Sequence, residues 1–127
     1  MSRYGAPADM TGRARVQRDM RLRRRLLEVL HAQRGNDADG WVSGRFLLDV
    51  LQGWGGIDQR FESEQHMVSL LQDLKLADLA HARDDRERVT EELTIDVRSW
   101  RIAPLGCALM EEAIPPHELV ADERIRK

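Results

Sequence analysis

The sequence predicts a mainly α-helical domain with a small antiparallel β hairpin, and three observations carry that expectation. Apolar residues recur at helical spacing in three separate stretches. Residues 93–97, Leu-Thr-Ile-Asp-Val, alternate with the period of a half-buried strand. A short apolar segment opened by Pro104 then follows, and proline suits the first turn of a helix because its missing N–H has no partner there anyway. The 127 residues leave room for one domain, burying roughly two-thirds of its unfolded surface. A hydrophobic content of 42% supplies the core and 33% charged residues supply the solvated surface.

The first helix is marked by Val16, Met20, Leu22, Leu26, Leu27 and Leu30, with Arg21, Arg23, Arg24 and Arg25 interleaved. Gly, Asn and Asp over 34–40 make a loop, Trp41 and Val42 a short strand, and Ser43 a cap for a second helix carrying Phe46, Leu47, Val50, Leu51 and Trp54. The glycines of 53–56 end that helix. Ser63 is placed to cap a third helix over 63–75, with Glu62 and Glu64 at its positive end. Met67, Leu70, Leu71 and Leu74 fall at i, i+3, i+4 and i+7 and form its core stripe, leaving Gln65, Val68, Ser69 and Gln72 largely outside. Apolar residues over 76–82 lead into the polar run 83–88, the tip of a hairpin that returns through 93–97. The last helix spans about 103–111 and is halted by Ile-Pro-Pro over 114–116, which leaves 118–127 as a tail or a short helix docking on a partner.

From 21 to 112 the order helix, short strand, helix, helix, hairpin, helix resembles the winged helix-turn-helix fold of the ArsR type. Residues 103–111, Ala-Pro-Leu-Gly-Cys-Ala-Leu-Met-Glu, resemble the T-x-x-G-x-x-L-x-E close of many winged-helix proteins. With the compact size, this segment is most similar to small winged-helix proteins of Mu-type phages and prophages. The hairpin region 83–92 is longer and more acidic than in that pattern, and the Arg-rich arm is additional. The resemblance divides the chain into a flexible or helical arm over 1–20, a winged-helix domain over 21–112 and a C-terminal tail over 113–127. It implies a DNA-binding regulator or accessory DNA-handling factor.

Charge is unevenly spread. The whole chain is at −2, but residues 1–34 hold nine Arg against three acids, a net of +6, and the remainder stands at −8. Eighteen of the twenty basic residues are Arg, as a GC-rich genome would produce. No apolar run approaches the ~20 residues that span a bilayer, so no membrane partner is expected. The one cysteine, Cys107, has apolar neighbours and no intrachain disulfide partner, which together point to a reducing cytoplasmic setting. His31, His66, His81 and His117 are scattered without metal-ligand spacing. The glycines at 53, 55 and 56 precede no phosphate-loop Lys-Ser/Thr pair. The sequence therefore predicts no catalytic residue, no metal and no cofactor, and a binding protein in place of an enzyme.

Three surfaces are candidates for binding. On the third helix, Gln65, Ser69 and Gln72 can hydrogen-bond base edges in a major groove of double-stranded DNA, with Arg60 and Lys75 placed for phosphates. Glu62, Glu64 and Asp73 oppose this by making the same face acidic. The hairpin tip alternates Arg83, Arg86 and Arg88 with Asp84, Asp85 and Glu87, a pattern that neutralises itself. Arg21, Arg23, Arg24 and Arg25 form, with Arg13, Arg15 and Arg18, the strongest basic cluster, which either tracks a nucleic-acid backbone or pairs with the acidic body of a second subunit in a homodimer. Val16, Met20 and Leu22 are apolar beyond what a compact three-helix core needs, so the N-terminal helix is expected to carry that dimer contact. The alternative function is a winged-helix scaffold that binds other phage proteins during assembly.

Overall fold

The leucine stripe of the first helix decides where the core lies. In the computed structural model, which describes residues 12–52, 60–84 and 98–122, this helix, α1, runs over Gly12–Ala32, about 30 Å at helical rise. Straight-chain Arg, Leu and Met dominate it and no proline interrupts it, so propensity and packing agree. Leu22, Leu26, Leu27, Val29 and Leu30 are buried along one side.

A short strand β1 (Val42–Ser43) leads into α2 (Gly44–Gln52), and Ser43 caps it: its Oγ accepts from the Phe46 N–H at 3.1 Å. Helix α3 (Glu64–Leu76) follows, then β2 (Ala80–Asp84), β3 (Arg98–Ile102) and α4 (Pro104–Met110). The sequence expectation of a mainly helical chain with a small antiparallel sheet holds, but the sheet has three strands in the order β1-β3-β2, both pairings antiparallel. The expected strand at 93–97, the hairpin tip beyond residue 84, the glycines of 53–56 and Trp54 lie outside the described residues.

Register fixes what each sheet face carries. Val42 pairs with Trp100 and Ala80 with Ile102, and all four side chains are buried against the helices. The alternate positions His81, Arg83 and Arg101 point the other way. Helix α3 packs against α1, α2 and β2. Met67, Leu70, Leu71 and Leu74 are buried as expected, and Val68 is buried with them at 3% exposure. Contact on several sides widens the buried arc beyond a single stripe, so Val68 belongs to the core instead of the solvent face.

Three further expectations change. Phe46 is 38% exposed, because the buried side of α2 is defined by Leu47, Leu48 and Leu51. Leu22 is a core residue and Met20 is half-buried, which leaves Val16, at 55% exposure, as the large apolar side chain α1 presents to solvent. The chain from 113 to 122 folds back onto α1 of its own molecule: the Ala121 N–H donates to the Met20 carbonyl at 3.1 Å and Val120 is 2% exposed. Residues 123–127 of the expected partner-docking tail lie outside the described residues.

Candidate nucleic-acid interface

The N-terminal turn of α3 is organised by side chains from three places. Ser63 adopts an extended conformation and its Oγ accepts from the His66 N–H at 3.1 Å, as a helix cap does. The His66 ring accepts at Nδ1 from the Glu62 N–H at 3.0 Å, so Nε2 carries the hydrogen and donates to Asp19 of α1, also at 3.0 Å. Arg18 reaches Glu62 at 2.9 Å, and Phe61 meets the His66 ring edge-on. The solvent face of α3 is thus held in a fixed orientation on α1.

That face carries Gln65 and Ser69, both exposed, with Gln72 half-buried and Lys75 exposed at the last turn. Residues 65, 69, 72 and 76 form one ridge at helical spacing. Sequence reading missed its last member, Leu76, which is 79% exposed. The signal for it was available, since the buried stripe 67, 70, 71, 74 leaves position 76 on the opposite side. Arg60 is exposed just before the cap.

The acids that seemed to spoil this face are each paired with an arginine. Glu62 is bound by Arg18 at 2.9 Å, Glu64 faces Arg45 of α2 at 3.6 Å, and Asp73 is bound by Arg23 at 2.8 Å. The charge that would repel phosphate is largely neutralised in place. Exposure of these pairs differs, and the Arg45 to Glu64 contact is a solvated one of small worth to stability.

The same pairing removes much of the expected basic cluster from solvent. Arg23 has a side chain only 12% exposed and donates both to Asp73 and, at 3.1 Å, to the Leu119 carbonyl. Arg24 donates to Glu28 and to the Ala121 carbonyl, both at 3.1 Å. Arg25 lies 3.6 Å from Glu28, and Arg21 is half-buried. Arg23 and Arg24 thus clamp the C-terminal segment and α3 to α1, and their guanidinium groups are not laid out as a track for phosphates. Of the Arg21–Arg25 stretch, Arg23 meets α3 through its bond to Asp73.

The outer face of the sheet is a second basic surface that sequence reading did not identify. The loop before β1 is wound around Asn36, whose Oδ1 accepts from the Ala38 and Gly40 N–H groups at 2.8 Å each. Gly40 sits at φ +88°, and a Cβ on its backbone would lie 3.2 Å from the Arg34 Cα. This loop sets Trp41 beside the sheet, where the guanidinium carbons of Arg83 and Arg101 lie 4.6 and 4.7 Å from its ring centroid, within cation–π range. The strand parity of 81, 83 and 101 was the available signal, but pairing β2 with β3 was needed to align them.

Cys107 lies at the edge of this surface. Burial pushes its thiol above the ordinary value, Glu111 adds to the rise and Arg34 opposes it, so the thiol is held protonated. His31 donates to Glu111 at 3.0 Å, and His117 accepts at Nδ1 from the Leu119 N–H. Among the described residues no three His, Cys, Asp or Glu side chains gather as a metal site, and no helix is long and apolar enough to cross a membrane. Comparison with known proteins finds no family model, no curated protein and no solved structure that matches this chain.

Proposed function

We propose that this chain is a winged helix-turn-helix protein that binds double-stranded DNA through the exposed ridge of α3, as a regulator or accessory DNA-handling factor of a phage or prophage. The observation that carries the reading is the pairing of Glu62, Glu64 and Asp73 with Arg18, Arg45 and Arg23, which leaves Gln65, Ser69 and Lys75 on a face whose acidic charge is largely neutralised. The element order and the β1-β3-β2 sheet support the winged-helix assignment. The phage setting rests on the resemblance of the closing segment 103–111.

In this reading α3 enters the major groove. Gln65 and Ser69 hydrogen-bond base edges, Leu76 meets a thymine methyl, and Lys75 and Arg60 take phosphates. Gln72, half-buried, has a smaller share than the sequence assigned to it.

Fluorescence anisotropy at low salt, across random and defined duplexes, tests this. Gln65→Ala should relax sequence preference by about 1–3 kcal/mol, the discrimination that a well-placed amide supplies at one base. Lys75→Ala should weaken binding to every duplex and reduce the salt slope by about one. No binding to any duplex at micromolar protein would overturn the reading and favour the alternative of a protein–protein scaffold.

A further inference from the structure

Among the described residues, Arg34 and Arg101 differ from most arginines of the helices. Arg18, Arg23, Arg24, Arg25 and Arg45 each have a carboxylate within 4 Å, whereas Arg34 and Arg101 have none. Both line one cleft of about 310 Å³ at the end of the outer sheet face, together with His81, Asp39, Ile102 and Cys107. Two cationic groups without a counter-ion, facing one cavity in a chain of net negative charge, call for an anion.

The two forks are held by backbone groups. Arg34 Nη1 donates to the His31 carbonyl at 2.7 Å, and Arg101 Nη1 points at the Asp39 carbonyl at 3.5 Å while its guanidinium rests on Trp41. Each guanidinium has five donors, so most remain for a ligand. His81 is exposed beside Arg101 on the neighbouring strand, and its ring offers an N–H in either protonation state. The opposing charges are the Asp39 carboxylate at the rim and Glu111, which is bound to His31.

We infer that this cleft binds a phosphate oxyanion, with its oxygens between the Arg34 and Arg101 forks and the His81 ring as a third donor. Paired planar guanidinium groups match the geometry of phosphate oxygens better than point charges do. The walls formed by Ile102, Pro104 and Cys107 accept the organic part of an ester. The oxyanion belongs either to a free phosphate monoester or to a nucleic-acid backbone. The site is separate from the ridge of α3 and stands whether or not that ridge reads DNA.

The test is a titration of the full ¹⁵N-labelled chain, followed at the arginine Nε–H and Cys107 amide signals. The probes are inorganic phosphate, adenosine 5′-monophosphate and a short DNA duplex. Saturable shifts at Arg34, Arg101 and Cys107 with the first two probes support the site and assign it to a free ester. The same shifts with the duplex alone support it and assign it to the backbone. Arg34→Gln, at an exposed position that leaves the fold intact, and Arg101→Gln should each weaken binding about tenfold. Arg13→Gln, which removes an equal charge at the start of α1, should leave it unchanged. Signals unmoved by all three probes would overturn the inference, as would equal weakening by all three substitutions.

Discussion

At Gly106 a hydrogen atom is the largest side chain that fits. A Cβ there would run into the Leu79 carbonyl oxygen and come within 2.8 Å of Ile102 Cγ1, so α4 lies directly against the turn that joins α3 to β2 and against the end of β3. The need is for closeness and not for an unusual backbone angle. The obstructing oxygen is itself engaged, accepting from the Ala103 N–H at 3.0 Å, and cannot move without losing that bond. Gly106→Ala should therefore destabilise the chain by about 1–3 kcal/mol, in the range of overpacked cores. The midpoint of urea unfolding measures it, and an unchanged midpoint would contradict the packing described for α4.

Among the elements, the termini of α3 and α4 show how local bonds position the surfaces. Both helices end on a residue with left-handed backbone, Asp78 at φ 62° and Glu112 at φ 60°. After α3, the Leu79 N–H returns to the Leu74 carbonyl and the Asp78 N–H to the Lys75 carbonyl, a Schellman arrangement closed by the buried Leu74 and Leu79 side chains. This turn sends the chain straight into β2, and so sets the outer sheet face relative to α3. At the other end of α3, Ser63→Ala removes the acceptor of the His66 N–H and should cost about 0.5–2 kcal/mol, with Ser63→Asp retaining the cap. Chemical denaturation of the three proteins provides the comparison. Equal stability of the alanine and serine forms would mean that the Asp19 and Glu62 bonds to His66 alone hold this turn.

Across the molecule, the main consequence of folding is a redistribution of charge. The basic N-terminal quarter and the acidic remainder meet through Arg18 to Glu62 and Arg23 to Asp73, while Arg23 and Arg24 also take the Leu119 and Ala121 carbonyls. The helix that looked like a binding cluster is in large part the internal counter-ion of the fold. Arg23→Ala should accordingly lower stability by about 1.5–3 kcal/mol, the range for hydrogen bonds to charged groups, and, by leaving Asp73 unneutralised beside the α3 ridge, also weaken binding to every duplex. Thermal unfolding and anisotropy on the same sample separate the two effects. A large loss of affinity without loss of stability would return Arg23 to the binding surface.

The helices, their caps and most of the core are legible in the chain before it folds, because apolar spacing, Ser43, Ser63 and Pro104 act within a few residues of themselves. The stripe at 67, 70, 71 and 74 and the exposed positions 65 and 69 could all be read in this way. Which charges remain available is settled later, when distant segments meet. Arg23 and Asp73 are fifty positions apart, and Trp41 reaches Arg83 and Arg101 only after β3 enters between β1 and β2. Pairing across such distances depends on the register and packing of whole elements. An arginine-rich stretch therefore reads the same in sequence whether its guanidinium groups face a ligand or clamp the chain's own C-terminal segment.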